Sequence, residues 1–304
     1  MNITRILCPT DFSQCSRQAW LRAVGIAKAQ GAAITVLHVV PPVALGDGAG
    51  EHQRLLRMLD EFVSIDGAGL SIETVILEAP AAHEEIILQG DRLRADLILM
   101  GTHGRSGFDR LLLGSVAERV LRTARQSVMT VGLPADACPN TARDFTRIVC
   151  GIDFSECSVR GLEYALTLAK GPAAHVTAVN VLEWMPVGYD PLIGTPDFGG
   201  YHCAVEQAAR EHLHQIVKGF EATGVGIEEI VVCGRPHREL LALAQQQTAD
   251  LIVIGAHGRH AIDRLLFGST AEPVVRHASC AVLSVHTVPA LNVAARETSV
   301  ACAH

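Results

Sequence analysis

The stretch GTHGRSGFDRLLLGS runs from Gly101 to Ser115, and GAHGRHAIDRLLFGS runs from Gly255 to Ser269. Two glycine-framed segments of equal length, identical at most positions, signal an internal repeat, which has to be settled before any local reading. A second anchor agrees: RILCPTDFSQCS (Arg5–Ser16) recurs as RIVCGIDFSECS (Arg147–Ser158). The glycine segments are displaced by 154 positions and the second anchor by 142, so the later copy is longer by twelve residues between them. EWMPVGYDPLIGTPDFGG (Glu183–Gly200) holds the surplus, and its shorter counterpart is PPVALGDGAG (Pro41–Gly50). Both are rich in Gly and Pro and read as loops. The copies join within GLPADACPNTARDFT (Gly132–Thr146), with the boundary near Asn140. The expected organisation is a domain over 1–140 and a second over 141–304, whose core spans about 145–287 before a tail.

Each copy alternates short apolar runs rich in Val, Ile and Leu with longer segments of helical period. In the first copy the strands are expected near Arg5–Cys8, Ala33–Val39, Ser71–Leu77, Ala95–Met100 and Ser127–Gly132. The helices are expected near Ser16–Ala29, Glu51–Ile65, His83–Leu93 and Ser115–Ala124. The strands are continuously apolar rather than alternating, so both sheet faces must be covered. Strand–helix alternation of this kind means an α/β fold with an open parallel sheet flanked by helices. Ligands in such folds sit outside the carboxyl ends of the strands.

The bulk numbers fit two packed domains. The chain has 304 residues, 49% of them hydrophobic and 19% charged, which supports a large core and argues against disorder. Net charge is −7, and the pI near 6.0 argues against general binding to nucleic acid or anionic membrane. MNITRILCPTDFS lacks the apolar run of a signal peptide, and no transmembrane helix is expected. The nine cysteines are an odd number with no export signal, so reduced thiols in the cytoplasm are the expectation.

The glycine segment starts at a strand end, after Leu97–Met100, and finishes where SVAERVLRTA (Ser115–Ala124) opens a helix with Ser115 as the expected N-cap. A helix start presents free N–H groups and a partial positive charge, which suit a phosphate. Gly104 and Gly114 allow close approach and Arg105 offers a charged donor. A lone Gly-x-x-Gly usually serves only a turn; here Gly and Ser recur together at both ends of the loop, twice. No Walker-type loop and no G-x-G-x-x-G after the first strand is present. Asp11 and Asp153 follow the first strand of each copy, beside these loops. Each is read either as acceptor for a ribose hydroxyl or as N-cap of the next helix, and the sequence leaves both open.

At these residues the chain resembles the universal stress protein family in its tandem-domain, ATP-binding form. The family signature G-x2-G-x9-G-[ST] is matched by Gly101, Gly104, Gly114 and Ser115, and again by Gly255, Gly258, Gly268 and Ser269. The resemblance covers the chain apart from the linker, the longer loop and the tail. It implies two Rossmann-like (adenine nucleotide α-hydrolase-like) domains, each a five-stranded parallel sheet of order 3-2-1-4-5. It implies ATP, with or without Mg2+, as ligand. Asp11 would then contact the ribose or adenine side, with Pro9 and Thr10 beside it. Val39 would flank the adenine, and Met100 and Gly101 would lie under the nucleoside. His103, Gly104, Arg105, Gly114, Ser115 and Val116 would surround the phosphates. The equivalents are Gly151, Ile152, Asp153, Val181, Ile254, Gly255, His257, Gly258, Arg259, Gly268, Ser269 and Thr270. The resemblance also implies that the two copies pack as an intramolecular pseudo-dimer through SVMTVGL and Cys280–His286, with a homodimer of chains left open.

The copies are not equal. His260 and Ala261 replace Ser106 and Gly107, and Pro273 replaces Arg119, so the last helix of the second copy is expected to start late or kink. If one site alone is filled, the first copy is favoured. No C-x2-C or H-E-x-x-H appears, and no metal site is expected despite fourteen histidines. No nucleophile–base pair is visible, so no catalytic residue is assigned, though Asp109 and Asp263 are loop carboxylates with a conceivable role in turnover. The primary expectation is a nucleotide-binding regulatory protein of the stress response, in which occupancy orders the loops and modulates interactions with protein clients. A slow ATP hydrolase and a scaffold without nucleotide are the alternatives.

Overall fold

The computed structural model describes residues 2–42, 49–64, 66–104, 113–132, 144–183, 198–220, 223–256 and 268–286. The first copy runs β1 (Arg5–Pro9), α1 (Gln14–Gln30), β2 (Ala33–Val40), α2 (Ala49–Ser64), β3 (Ile72–Glu78), α3 (Ala82–Leu93), β4 (Leu97–Gly101), α4 (Ser115–Thr123) and β5 (Ser127–Val131). The second runs β6 (Arg147–Gly151), α5 (Glu156–Leu168), β7 (His175–Leu182), α6 (Phe198–Lys218), β8 (Gly226–Cys233), α7 (Pro236–Gln246), β9 (Leu251–Gly255), α8 (Ala271–His277) and β10 (Ala281–Val285). The expected alternation is therefore present in both halves. Two loop readings are too long: α2 and α6 begin inside the segments read as loops, at Ala49 and Phe198. The remainder of the longer loop, the linker around Asn140 and the tail after 286 lie outside the described residues.

All ten strands form one sheet, of order β3-β2-β1-β4-β5-β10-β9-β6-β7-β8. Within each half the pairs are parallel and the order is 3-2-1-4-5. The halves meet at an antiparallel pair, with Thr130 opposite Val282, Met129 opposite Leu283 and Val128 opposite Ser284. That single reversal sends the carboxyl strand ends of the two halves to opposite edges of the sheet.

The period of two along each strand divides the core into two layers. Ile6 and Cys8 point into one and Leu7 into the other; Leu283 and Val285 join the first and Val282 the second. The first layer is closed by α1 and α5, through residues such as Trp20, Val24, Leu162 and Ala165. The second is closed by α3, α4, α7 and α8, through Ile86, Val120, Leu240 and Val274. Each layer draws residues from both halves, so the apolar surface at the junction is buried without a break.

Polar contacts fix the opposite end of the strands. The Asp96 carboxylate accepts from Thr4 N–H (2.7 Å), Thr4 Oγ1 (2.7 Å) and Arg5 N–H (3.0 Å). Asp250 repeats this with Thr146 N–H (2.8 Å) and Oγ1 (3.0 Å). Across the junction Tyr164 donates its hydroxyl to the Asp96 carbonyl (3.0 Å) and Gln30 Nε2 donates to the Thr167 carbonyl (3.1 Å). The Arg22 guanidinium lies 4.7 Å from the Phe145 ring centroid. Because both core layers cross the junction, calorimetric unfolding is expected as one transition. Leu283→Ala, at a fully buried site in β10, should lower that single midpoint with a cost of about 2–5 kcal/mol. Two resolved transitions in wild type would contradict this.

Candidate functional site

The strand order reverses between β1 and β4 in the first half, and between β6 and β9 in the second. At such a reversal the connections leave in opposite directions and a crevice opens at the carboxyl ends. The described residues among those expected at the site lie at these strand ends and at the helix starts beside them.

Immediately after β1 the chain takes an unusual step. Phe12 has φ 63° and Phe154 has φ 66°, a left-handed conformation that costs an L-residue about 1–2 kcal/mol. Local hydrogen bonds hold it. Phe12 N–H donates to Thr10 Oγ1 (3.0 Å), and Ser13 N–H donates to Asp11 Oδ1 (3.0 Å). Ser13 Oγ accepts from Ser16 N–H (3.2 Å), so Ser13 is the N-cap of α1. In the second half Ser155 N–H and Oγ donate to Asp153 Oδ1 at 3.0 and 2.5 Å, and Ser155 Oγ accepts from Ser158 N–H (3.2 Å). The N-cap reading of Asp11 and Asp153 is thereby corrected. A serine two residues on is the cap, because the left-handed phenylalanine delays the helix start. Each aspartate buttresses that serine through one carboxylate oxygen, Oδ1.

The glycines of the first half answer to sterics. A Cβ on Gly101 would lie 2.7 Å from Cys15 Cβ and 2.8 Å from Cys15 C, so only glycine lets the start of α1 pack over the end of β4. A Cβ on Gly104 would lie 2.7 Å from Asp11 Oδ2, which puts the aspartate directly against the glycine loop. Gly114 N–H donates to the Thr102 carbonyl (2.8 Å), and Gly268 N–H to that of Ala256 (3.1 Å), closing each loop at its neck. Ser13 Oγ donates to the His103 carbonyl (3.3 Å) and joins the cap of α1 to the loop. The His103 ring places Nδ1 2.8 Å from Thr102 Oγ1, while its buried Nε2 has no hydrogen-bond partner among the described residues.

Ser115 is not the N-cap. Gly114, extended at φ −61° and ψ 140°, takes that place without a side-chain bond, and Ser115 is the first helical residue. The neck bond to Thr102 fixes Gly114 at the turn, so the helix begins one residue earlier than the serine suggested. The N–H groups of Ser115, Val116 and Ala117 have no intrahelical acceptor, the first such bond being Glu118 N–H to the Gly114 carbonyl (2.9 Å). In the second half α8 begins at Ala271, two residues later in register, with Pro273 in its first turn. Proline lacks a donor, and the first turn is where none is needed. Ser269 and Thr270 precede this helix.

The floor is apolar. Met100, Leu7, Leu37 and Leu113 are buried, and Val39 and Val116 pack half-buried against their cluster. Pro9 and Thr10 are also buried, and Asp11, Gly101, His103 and Gly114 are half-buried, while Gly104 and Ser115 are exposed. The second half supplies Ile254, Val179 and Ala271 with Val181 beside them. There Gly151 stands for Pro9, Ile152 is buried, and Gly255, Gly268 and Thr270 are half-buried. Arg105, His257, Gly258, Arg259, Asp109 and Asp263 lie outside the described residues, as do the departures at Gly107 and Ala261.

Sequence reading missed two positions. His38 Nδ1 lies 2.7 Å from the Thr10 carbonyl, and Asn180 Nδ2 donates to the Ile152 carbonyl at 2.7 Å. They are equivalent and hold the same carbonyl, and an isolated polar residue within each apolar strand was the available signal. Phe12 was the other, visible only as the repeated DFS.

Two measurements follow. Gly101→Ala meets backbone and should cost about 1–3 kcal/mol of unfolding free energy, whereas Gly104→Ala meets only a side-chain carboxylate and should cost less than half that. Chemical denaturation of both variants checks the order. Burial pushes the Cys8 thiol up to about 12 and raises that of Cys150 as well. Both stay protonated and inert at neutral pH, while Cys203 and Cys233 are exposed. Iodoacetamide on the native protein should label the exposed pair and spare the buried one, as peptide mass spectrometry would read.

Among the described residues no helix is long and apolar enough to cross a membrane, and no group of three or more His, Cys, Asp or Glu could hold a metal ion. The profile of the universal stress protein family matches residues 2–132 and again 144–286. Universal stress protein Rv1996 of Mycobacterium tuberculosis is 27% identical over 310 aligned positions, covering 91% of this chain and 93% of that protein. Universal stress protein MJ0531 of Methanocaldococcus jannaschii is 33% identical over 144 positions, covering 46% of this chain and 82% of its own. The crystal structure of a universal stress protein from Archaeoglobus fulgidus superposes with a TM-score of 0.67 at 26% identity, over 95% of this chain and 98% of that one. With two profile matches spanning most of its length, the chain belongs to the universal stress protein family.

Proposed function

We propose that this protein binds adenine nucleotide, ATP foremost, at the carboxyl strand ends of each half and acts as a regulatory binder in the stress response. The observation that carries the reading is the convergence of Asp11, Gly104 and the start of α4 above an apolar floor. Gly104 sits against Asp11 Oδ2, so a ligand reaching the loop also reaches the carboxylate. The floor of Met100, Val39 and Val116 suits a base, Asp11 suits a ribose hydroxyl, and the open N–H groups of Ser115–Ala117 suit phosphate. The buried, unpartnered Nε2 of His103 is a further polar group awaiting a ligand atom. Gly101, Gly114, Pro9 and Thr10 shape the same crevice, and Arg105 belongs with the phosphates by its place in the motif. In the second half Asp153, Gly151, Ile152, Val181, Ile254, Gly255, His257, Gly258, Arg259, Gly268, Ser269 and Thr270 take the equivalent places.

The two halves, 1–140 and 141–304, act as one pseudo-dimeric unit, for which the β5–β10 pairing is the support. Where Mg2+ accompanies ATP, it would arrive on the phosphates. Cys8, Cys150, Cys203 and Cys233 are free thiols, which agrees with a reducing cytoplasmic setting. The first half is the stronger site, because α4 begins directly at Ser115 while α8 begins two residues late.

Titration calorimetry with ATP should give saturable binding, and Asp11→Ala should weaken the stronger class of site by about tenfold or more, the worth of a hydrogen bond to a charged group. Saturating ATP at 100 times Kd should raise unfolding free energy by about 2.7 kcal/mol. Phosphate release no faster than in Ser115→Ala/Ser269→Ala identifies a binder, whereas faster release in wild type would mark a slow hydrolase. No heat and no stabilisation with any adenine nucleotide would overturn the reading.

A further inference from the structure

Four charged side chains close a square between α4 and α8. Arg122 Nη2 lies 3.2 Å from Glu118 Oε1 and 3.2 Å from Glu272 Oε2. Arg276 Nη2 lies 2.9 Å from Glu272 Oε1 and 3.7 Å from Glu118 Oε2. Every side chain in the square is between 24% and 32% exposed. Glu118 corresponds to Glu272 in the repeat, and Arg122 to Arg276, so the square carries the two-fold symmetry of the duplication.

The direction of the helices gives the square its meaning. Since β5 and β10 are antiparallel, α4 and α8 run in opposite senses, and the last turn of each lies by the first turn of the other. Glu118 is in the first turn of α4 and Arg276 in the last turn of α8; Glu272 and Arg122 mirror them. Each glutamate is also tied to its own glycine loop. Glu118 N–H donates to the Gly114 carbonyl at 2.9 Å, and Glu272 N–H to the Gly268 carbonyl at 3.2 Å.

A carboxylate in the first helical turn favours the helix when the loop is empty. It repels an anion that comes to the same helix start. Its neutralisation therefore bears on phosphate affinity, even though partly exposed ion pairs add little to stability. Within one half, Arg122 alone would serve Glu118. In the square each carboxylate has two guanidinium groups, one from each half.

We infer that Arg276 is a positioning residue for the first half's site. That site borrows from the opposite half a cation that neutralises Glu118, the glutamate in the helical turn beside its phosphates. The inference rests on the nucleotide reading above. It adds that the first half's site is incomplete without the last turn of α8.

The test uses the full-length chain at low salt, with Asp153→Ala in the background so that the first half's site reports. Calorimetric titrations with ATP and with adenosine are run on this background and on Arg276→Gln, Arg276→Lys, Glu118→Gln and Glu118→Gln/Arg276→Gln. Arg276→Gln should weaken ATP about three- to tenfold and leave adenosine unchanged, because only the phosphates carry charge. The double variant should recover the parent ATP affinity, Arg276→Lys should retain most of it, and Glu118→Gln alone should bind ATP at least as tightly. The loss should shrink at 0.5 M salt, where charges are screened over about 4 Å. Unchanged ATP affinity in Arg276→Gln overturns the inference, and so does an equal loss for ATP and adenosine that Glu118→Gln does not relieve. Should Arg276→Gln fail to fold, the effect of Glu118→Gln on ATP against adenosine decides alone: weaker ATP binding overturns. Absence of ATP binding in wild type and background alike defeats the nucleotide reading itself, and the inference with it.

Discussion

The antiparallel pairing of β5 with β10 is the constraint from which the architecture follows. It merges two parallel sheets into one, carries both apolar layers across the junction, and removes the last strand of each half from solvent. An uncovered last strand would present a row of unsatisfied backbone groups to other chains. Here those groups are spent internally, and the outermost strands are β3 and β8. The same pairing turns the two crevices to opposite edges and sets α4 against α8 head to tail.

Within each half a second constraint acts at shorter range. The start of α1 lies so close to the end of β4 that Gly101 admits no side chain, and the Asp11 carboxylate lies so close to the loop that it would have to shift for a side chain at Gly104. The left-handed Phe12 is the backbone solution that brings β1 into α1 at this distance, and Thr10, Asp11, Ser13 and Ser16 hold it with their hydrogen bonds. Strain of this kind persists where the surroundings over-determine it, and such places cluster at functional sites. Glycines that look like a ligand motif are thus first a packing requirement. The packing creates the crevice that a ligand would use.

The strands were legible because Leu97–Met100 and its counterpart Leu251–Ile254 are apolar throughout, and an unbroken run of that kind bounded by turn residues has few other uses. The duplication was legible because two anchors recur at fixed offsets. What local sequence does not carry is the sense of pairing between β5 and β10, since a five-residue apolar strand has the same period whichever way its neighbour runs. Helix starts were displaced for a similar reason. Ser115 has the chemistry of a cap, but a hydrogen bond from Gly114 to Thr102, thirteen positions away from Ser115, decides where the helix begins. Asp11 was read with two roles, and a residue between it and the helix settled which serine caps.

Duplication within one chain also changes what substitution can do. When two identical chains associate, every substitution appears twice, and both sites change together. In this chain each position occurs once, so the halves are free to part company while the junction keeps its fit. Thr10 has become Ile152, His38 has become Asn180 and Arg119 has become Pro273, yet Glu118 and Arg122 still match Glu272 and Arg276. These exchanges leave the four charged residues between α4 and α8 matched in pairs. On the proposed nucleotide reading, two sites that differ in this way would fill at different concentrations of one ligand while sharing a single junction.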